Sequence, residues 1–481
     1  MPWLMVLFVV PFIASIAAFA CFSLSGKNLK RFALVLSLLP LAILLYDHAG
    51  LVGAHIQYDW LPVLSIQFHL RVDSLSLLFL YLTAIVVPAS ILAVHSENLA
   101  FPNIFYGLVL LLQGLLIGFF SARDLALFTI FWEAMLLPLY FMINIWGKSQ
   151  RQKASLKFLI YMIAGSALMV AAVLALYATS APGTFNLDVL VRTASSSPYS
   201  IWIFAIFMLA FAVKTPLFPF HAWLPDAYYE ASVPGTILLA GILSKAGIYG
   251  ILRIGMELFP GLMIEASPLL LGFAIAGVFY GALNAWVQTD YKRLLAYSSL
   301  SHINFILAGL FVWSQTAHTG AILQALNHGI NITALFLVAG WLEERLGTTA
   351  IGQASGLAKY MPQLCWVTLM IVIASVAVPG TNNFVGEFLI LFGLFAINPW
   401  QAAFLGLSII LSVVYMLRFM QKVYFEKPSN FQNQWVDIKA REIAIALPLI
   451  AIILWIGIYP APLIKTIESY AINIVPGTKV E

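Results

Sequence analysis

The chain has 481 residues, of which 62% are hydrophobic and only 9% charged, whereas a soluble domain carries about 25% charged residues. So few charges cannot cover water-facing surfaces, which excludes a soluble globular protein and predicts one all-α, polytopic, membrane-embedded body. The formal charge of +4 is spread among short loops, which excludes a nucleic-acid-binding face. Cys21 and Cys365 both lie in apolar stretches, so a disulfide framework, a CxxC pair and a cysteine-ligated cluster are excluded as well.

The first apolar run has no positive residue before it and reaches about residue 22 without a small-residue cleavage site, so it reads as a membrane span rather than a signal peptide. Segments near the ~20 residues that cross a bilayer as a helix fall at 2–22, 31–48, 73–95, 101–121, 123–146, 155–180 and 200–220. A second series falls at 232–258, 263–288, 293–314, 318–342, 362–395, 399–424 and 442–470, giving fourteen spans. The runs are continuously apolar, whereas a membrane barrel alternates apolar and polar residues. Residues 1–100 then form a three-span segment, 101–260 hold spans four to eight, 261–426 hold spans nine to thirteen, and 427–481 hold an inner-side loop and the last span.

Loops after odd-numbered spans hold most of the basic residues, among them Lys27, Lys30, Arg31, Lys148, Arg151, Lys153, Lys292 and Arg293. Loops after even-numbered spans hold little more than Arg71, Arg123 and Arg192. Because cytoplasmic loops collect Lys and Arg, both termini are expected on the outer side. Between spans two and three, His55 to Arg71 alternates apolar and polar residues, which predicts a short outer hairpin. Gly183 to Tyr199 reads as a short interfacial helix beside span seven.

Among the basic residues, Lys214 and Lys245 fall within the body of a span, and among the acids Glu133 and Glu387 do. A charge at the centre of a bilayer helix costs at least ~2.5–3.5 kcal/mol, so retained charges point to an ion pathway. Lys214 lies in Ala212-Val-Lys-Thr-Pro-Leu-Phe-Pro219, whose prolines remove backbone donors and predict a break in helix seven. Glu387 follows a second interruption, Val378-Pro-Gly-Thr-Asn-Asn-Phe-Val-Gly-Glu387, in helix twelve. Two discontinuous helices five spans apart are what two inverted five-helix repeats predict, spans four to eight and nine to thirteen.

His302 on span ten and His328 on span eleven extend the series. Glu133, Lys214, Lys245, the histidines and Glu387 would form one hydrated line. Desolvation weakens a lysine's hold on its proton and a nearby carboxylate strengthens it, so the Glu133–Lys214 separation would control the proton on Lys214. Histidine accepts on one ring nitrogen while donating from the other, as a relay needs. For Ser, Thr and Asn within spans, helix–helix hydrogen bonding is the simpler reading. His221, Asp226 and Glu230, after the break, would form either a proton uptake point or a solvated loop. No phosphate-binding loop, HExxH or Cys/His ligand cluster appears, so neither a metal nor a nucleotide cofactor is expected in this chain.

The segments Phe131-Trp-Glu-Ala-Met-Leu-Leu-Pro-Leu-Tyr140, Phe211-Ala-Val-Lys-Thr-Pro-Leu-Phe-Pro-Phe-His-Ala-Trp-Leu-Pro-Asp226 and Pro379-Gly-Thr-Asn-Asn-Phe-Val-Gly-Glu-Phe-Leu-Ile390 resemble the antiporter-like subunits of respiratory complex I. Asp290-Tyr-Lys-Arg-Leu-Leu-Ala-Tyr-Ser-Ser-Leu-Ser-His302 matches the same family. The resemblance covers nearly the whole chain. Within the family it is similar to the M-chain branch of bacterial NADH:quinone oxidoreductase, the relative of mitochondrial subunit four, because Glu387 stands where other branches have lysine and no long lateral helix follows span fourteen.

The resemblance implies that Glu133 and Lys214 are a coupling pair, Lys245 with His302 or His328 a central relay, and Glu387 the terminal residue of a proton path. It implies a place in the membrane arm between two similar chains; the lack of a transit-peptide pattern and the high charge of the inner loops favour a bacterial inner membrane over an organelle. NADH, FMN, iron–sulfur clusters and quinone would be bound by partner subunits. The competing readings are a subunit of a multisubunit Na⁺/H⁺ antiporter or membrane-bound hydrogenase, a spacer that moves no ions, and a stand-alone solute transporter.

Overall fold

The computed structural model describes residues 2–21, 25–94, 99–180, 183–353, 355–427 and 435–471. Among them, twelve helices are long and apolar enough to cross a bilayer, and three shorter apolar helices, Ser200–Lys214, Pro362–Ser375 and Asn382–Phe395, accompany them. The chain forms two compact units, one of Met1–Thr215 with Glu230–Ala266 and one of Pro216–Tyr229 with Ser267–Glu481.

In the first unit the helices Pro2–Ala20 and Pro102–Ser121 pack closely. Gly107 and Gly114 leave room for the rings of Phe19 and Phe12, and Ser15 donates to the Gly107 carbonyl at 2.8 Å. In lipid, contacts of this kind replace the hydrophobic drive available in water. The strands His55–Leu61 and Ile66–Arg71 pair antiparallel, with Tyr58 opposite Phe68 and Gln57 opposite His69. The helix Leu187–Thr193 is capped by Asn186, whose side chain accepts from the Asp188 amide.

Two helices stop where proline removes donors. Ser200–Lys214 ends at Lys214, and helix resumes at Trp223. Pro362–Ser375 ends before Ala377 (φ 56°) and Gly380 (φ 92°), and Asn382–Phe395 follows. A third discontinuity was not expected. The helix Leu125–Ala134 is interrupted at Met135 before Leu136–Trp146, because Pro138 has no N–H for the carbonyl of Ala134 and crowds it.

Three further expectations are corrected. The last span is not continuous over 442–470: Ala440–Ile458 stops at Tyr459 and Pro460, and a separate helix covers Ala461–Ala471. Span six starts earlier than expected, at Arg151. Lys30 and Lys292, expected in inner loops, are 7% and 0% exposed; Lys30 donates to the carbonyls of Leu92, at 3.2 Å, and Val94.

In the second unit Gln315–Leu346 and Asn382–Phe395 lie against each other along three glycines. A methyl group added at Gly320 would meet the Ile390 amide nitrogen at 2.7 Å, one at Gly393 the Ala317 amide nitrogen at 2.6 Å, and one at Gly386 the Gln324 Oε1 at 2.4 Å. This approach brings the polar face of the first helix onto Glu387.

Candidate functional site: buried ionisable clusters

The first cluster lies in the first unit. Lys214 is 2% exposed and terminates its helix. Its Nζ donates to the Trp132 carbonyl at 2.9 Å and sits 3.7 Å from the centre of the Trp132 ring. That carbonyl lies at the helix interruption at Met135. Glu133, the next residue, is half-buried and acts on Lys214 electrostatically, with Ser166 beside it. Its Oε1 has no hydrogen-bond partner among the described residues. Among the described residues, then, Glu133 acts on Lys214 at a distance while a neutral carbonyl holds the ammonium directly.

Lys245 is fully buried and its Nζ donates to the Ala240 carbonyl at 2.5 Å. Ala240 belongs to a π-helical turn, Leu239–Leu243, at the start of the helix that carries the lysine. Such turns interrupt the regular hydrogen-bond ladder and recur at functional sites. Two residues on, Gly247 touches the Lys214 break: a methyl group there would fall 1.9 Å from Thr215 Oγ1 and 2.9 Å from its amide nitrogen.

The second cluster lies in the second unit. His302 Nδ1 is 3.2 Å from Glu387 Oε1, and Gln324 Nε2 donates to the same oxygen at 3.1 Å. The His302 and His328 rings are 5.8 Å apart. Asparagines continue the polar face: Asn327 Nδ2 donates to the Asn382 carbonyl at 2.7 Å, and Asn331 Nδ2 to Asn382 Oδ1 at 3.0 Å. His302 Nε2, Gln324 Oε1, Asn327 Oδ1, Asn331 Oδ1 and Asn383 Oδ1 are buried without a hydrogen-bond partner among the described residues. Leaving such atoms bare costs about 1–3 kcal/mol each, so the cluster is suited to hold water.

The six intramembrane residues named from sequence are therefore all buried or half-buried. Glu133, Lys214 and Lys245 belong to one unit, and His302, His328 and Glu387 to the other. The residues that follow the break do not act alike. Glu230 is buried and accepts from the Gln150 amide at 2.9 Å, tying a loop in place. Asp226 lies 4.0 Å from Arg293 at a partly exposed position, and the His221 ring packs against Phe218 and Tyr280.

Sequence reasoning missed Trp132, Gln324 and a charged group at the hairpin end of the first unit. Gln324 was detectable, since it precedes His328 by one helical turn. The charged group joins Arg253, 2% exposed, to Asp73 and Glu257, and Arg123 to Asp188. Among the described residues no group of three or more His, Cys, Asp or Glu is placed to hold a metal ion.

Residues 122–414 match the family described as NADH:quinone oxidoreductase/Mrp antiporter, transmembrane. The chain is 35% identical to NADH-quinone oxidoreductase subunit M of Escherichia coli strain K12, over 98% of this chain and 97% of that protein. It is 37% identical to subunit M of Pseudomonas aeruginosa, over 96% and 95%. Its fold is similar to a chain of respiratory complex I from Thermus thermophilus with bound NADH, with a TM-score of 0.89, 34% identity and coverage of 98% and 99%. It also resembles, in fold, a chain of the Mrp complex from a Dietzia species, with a TM-score of 0.85, 23% identity and coverage of 99% and 98%.

Proposed function

Because the chain belongs to the NADH:quinone oxidoreductase/Mrp antiporter transmembrane family, we propose that it translocates protons as the M-type subunit in the membrane arm of an NADH:quinone oxidoreductase. The relatives of 35% and 37% identity, matched over nearly the whole chain, favour this assignment over an Mrp antiporter, whose similarity is 23%. In this reading the fold comprises fourteen spans with two inverted five-helix repeats. It stands in a bacterial inner membrane with both termini outside, between two similar chains. NADH, FMN, iron–sulfur clusters and quinone belong to partner subunits, and this chain supplies the proton path.

The observation that carries the reading is the state of Lys214: buried at the end of a broken helix, held by a neutral carbonyl and acted on by Glu133. Replacing a neutral partner with a closer carboxylate favours the protonated amine, and separating the two favours release. A small movement about the break at Thr215 or the interruption at Met135 changes that separation. Lys245, next to the same break through Gly247, is the proton's next holder. In the second unit, His302 exchanges its proton with Glu387, which a neutral amide, Gln324, keeps oriented. Glu387 is the terminal group, and His328 adjoins the exchange.

The test is Lys214→Ala and Lys214→Arg in the assembled complex, with NADH oxidation and proton pumping measured on the same membranes. Loss of pumping in the alanine variant, with assembly kept, is expected. Normal pumping in both variants overturns the relay and leaves the spacer reading.

A further inference from the structure

Beyond Lys214 the chain leaves the first unit for the second at the Thr215–Pro216 peptide. The helix makes its last ladder bond there, from the Thr215 amide to the Phe211 carbonyl at 2.8 Å. Pro216 and Pro219 have no N–H, so the carbonyl of Pro216 and the amide of Phe218 fall outside any helix and need partners where water is excluded. Both find the same side chain. Asn304 Oδ1 accepts from the Phe218 amide at 3.3 Å, and Asn304 Nδ2 donates to the Pro216 carbonyl at 3.3 Å and to the Leu300 carbonyl of its own helix at 2.8 Å. One N–H and two carbonyls around it fix which end of the carboxamide faces which partner.

Asn304 is fully buried on the helix Tyr291–Phe311, two residues after His302. Residues two apart on a helix point about 200° apart. One helix therefore sets His302 against Glu387 on one side and Asn304 against the backbone that follows Lys214 on the other. The neighbouring helix Pro260–Val287 is shaped to this arrangement. A methyl group at Gly277 would meet Asn304 Oδ1 at 2.3 Å, and one at Gly281 would meet the Ser301 amide nitrogen at 2.6 Å. Ser301 Oγ donates to the Val278 carbonyl at 2.9 Å, which ties the two helices together beside the carboxamide. The absence of a side chain at Gly277 is what leaves the carboxamide room to reach residues 216–218.

We propose that Asn304 is the positioning residue of the break: it holds residues 216–218 to the helix of His302, so that a shift of that helix when the His302–Glu387 contact changes moves the chain next to Lys214. The coupling works through backbone rather than charge. Asn304 carries no proton, and the Trp132 carbonyl that holds Lys214 is not among its partners. What it sets is the course of the chain where the Lys214 helix ends. The proposal rests on the reading of Lys214 and the His302–Glu387 contact as parts of the relay.

The experiment uses the complete complex in liposomes, with NADH oxidation and proton flux measured together across a pH series. Asn304→Ser keeps a hydroxyl that can bond the Leu300 carbonyl within its own helix but is too short to reach residues 216–218. Gly277→Ala keeps Asn304 and displaces its carboxamide. Each is expected to lower proton flux per NADH oxidised several-fold and to displace the pH profile of pumping, with NADH oxidation retained. Gly277→Ala/Asn304→Ser removes the overlap, so it is expected to melt above Gly277→Ala and yet to pump no better. A packing role alone predicts that pumping recovers with melting and that every pH profile matches wild type. Either result overturns the clamp, and so does wild-type flux per NADH in Asn304→Ser. Should one single variant not assemble, the other is judged by the same criteria; should neither, wild-type flux in the double variant overturns the clamp and lowered flux supports it. If Lys214→Ala leaves pumping intact, the relay fails and the clamp falls with it. If it abolishes pumping while Asn304→Ser pumps normally, the clamp alone fails.

Discussion

The carbonyl of Trp132 lies 2.9 Å from Lys214 Nζ, and the indole of the same residue covers the ammonium at 3.7 Å. One residue thus supplies both a lone pair and a π face to the charged form of the lysine. A cation–π contact is worth about 2 kcal/mol when desolvated, so the ring contributes to how the lysine is held. Trp132→Leu keeps the carbonyl and removes the ring, so it is expected to lower the pumping rate roughly tenfold. Trp132→Phe is expected to lose less. Equal pumping by wild type and the leucine variant, measured as proton flux per NADH oxidised, would show that the ring has no part in holding the proton.

Gly247 is the contact between the helix of Lys245 and the break that follows Lys214. A methyl group there would overlap Thr215 Oγ1 at 1.9 Å and crowd the Thr215 backbone at 2.9 Å. Overpacking of this kind costs typically about 1–3 kcal/mol, and relaxation would move the end of the Lys214 helix. Gly247→Ala should therefore lower both the thermal stability of the assembled complex and its pumping. Adding Thr215→Ala should recover part of the stability, because it removes the hydroxyl and leaves the backbone contact. Unchanged melting in the single variant would contradict the close approach.

The membrane character of the chain and the breaks after Lys214 and before Glu387 were legible because they depend on local composition: apolar runs, prolines and glycines. The intramembrane charges were legible because any charge in such a run is conspicuous. Arg253 was not, since it sits near a span end, as Asp73 does at the start of 73–95, while Arg123 read as a loop residue and Asp188 as part of an interfacial helix. Only tertiary folding turns them into one buried group. The same holds for the carbonyl of Trp132, which has no side-chain signature, and for Gln324, whose value comes from the glycines that bring Glu387 against it. The asparagines fit their simpler reading, since Asn327 and Asn331 bond across helices to Asn382.

Acid should loosen the hairpin end of the first unit. Burial alone would raise the Asp73 carboxyl, but the charge and hydrogen bond of Arg253 and the Ser76 amide outweigh it and hold the group well below the usual carboxylate range. For Asp188, burial is likewise outweighed by Arg123, and its carboxyl is also lowered. A carboxyl depressed in the folded chain stabilises fully above its unfolded value of about 3.9, and that stability is lost as pH falls toward the folded value. Asp73→Asn is thus expected to melt below wild type near neutrality, by up to the 3–5 kcal/mol cost of breaking a buried pair, and the gap should narrow roughly below pH 4. Melting of the solubilised complex against pH checks this, and a constant gap down to the lowest accessible pH would refute the pairing.

The two histidines of the second unit should not be equivalent. His302 Nδ1 touches Glu387 at 3.2 Å, whereas the His328 ring stands 5.8 Å from that of His302. A proton moving between His302 and Glu387 crosses one hydrogen bond, and the amide of Gln324 fixes the carboxylate that receives it. Removing His302 takes away a direct partner of Glu387 and leaves the Gln324 amide in place, so His302→Ala should reduce pumping more than His328→Ala. Gln324→Leu should fall between them: it deletes a hydrogen bond to a charged acceptor, worth about 1.5–3 kcal/mol, without deleting a proton carrier. The decisive comparison is proton flux per NADH oxidised across the three variants at equal assembly. If His328→Ala is the most damaging, the proton reaches Glu387 by a path that bypasses the His302 contact, and the order of the relay in this unit must be reversed.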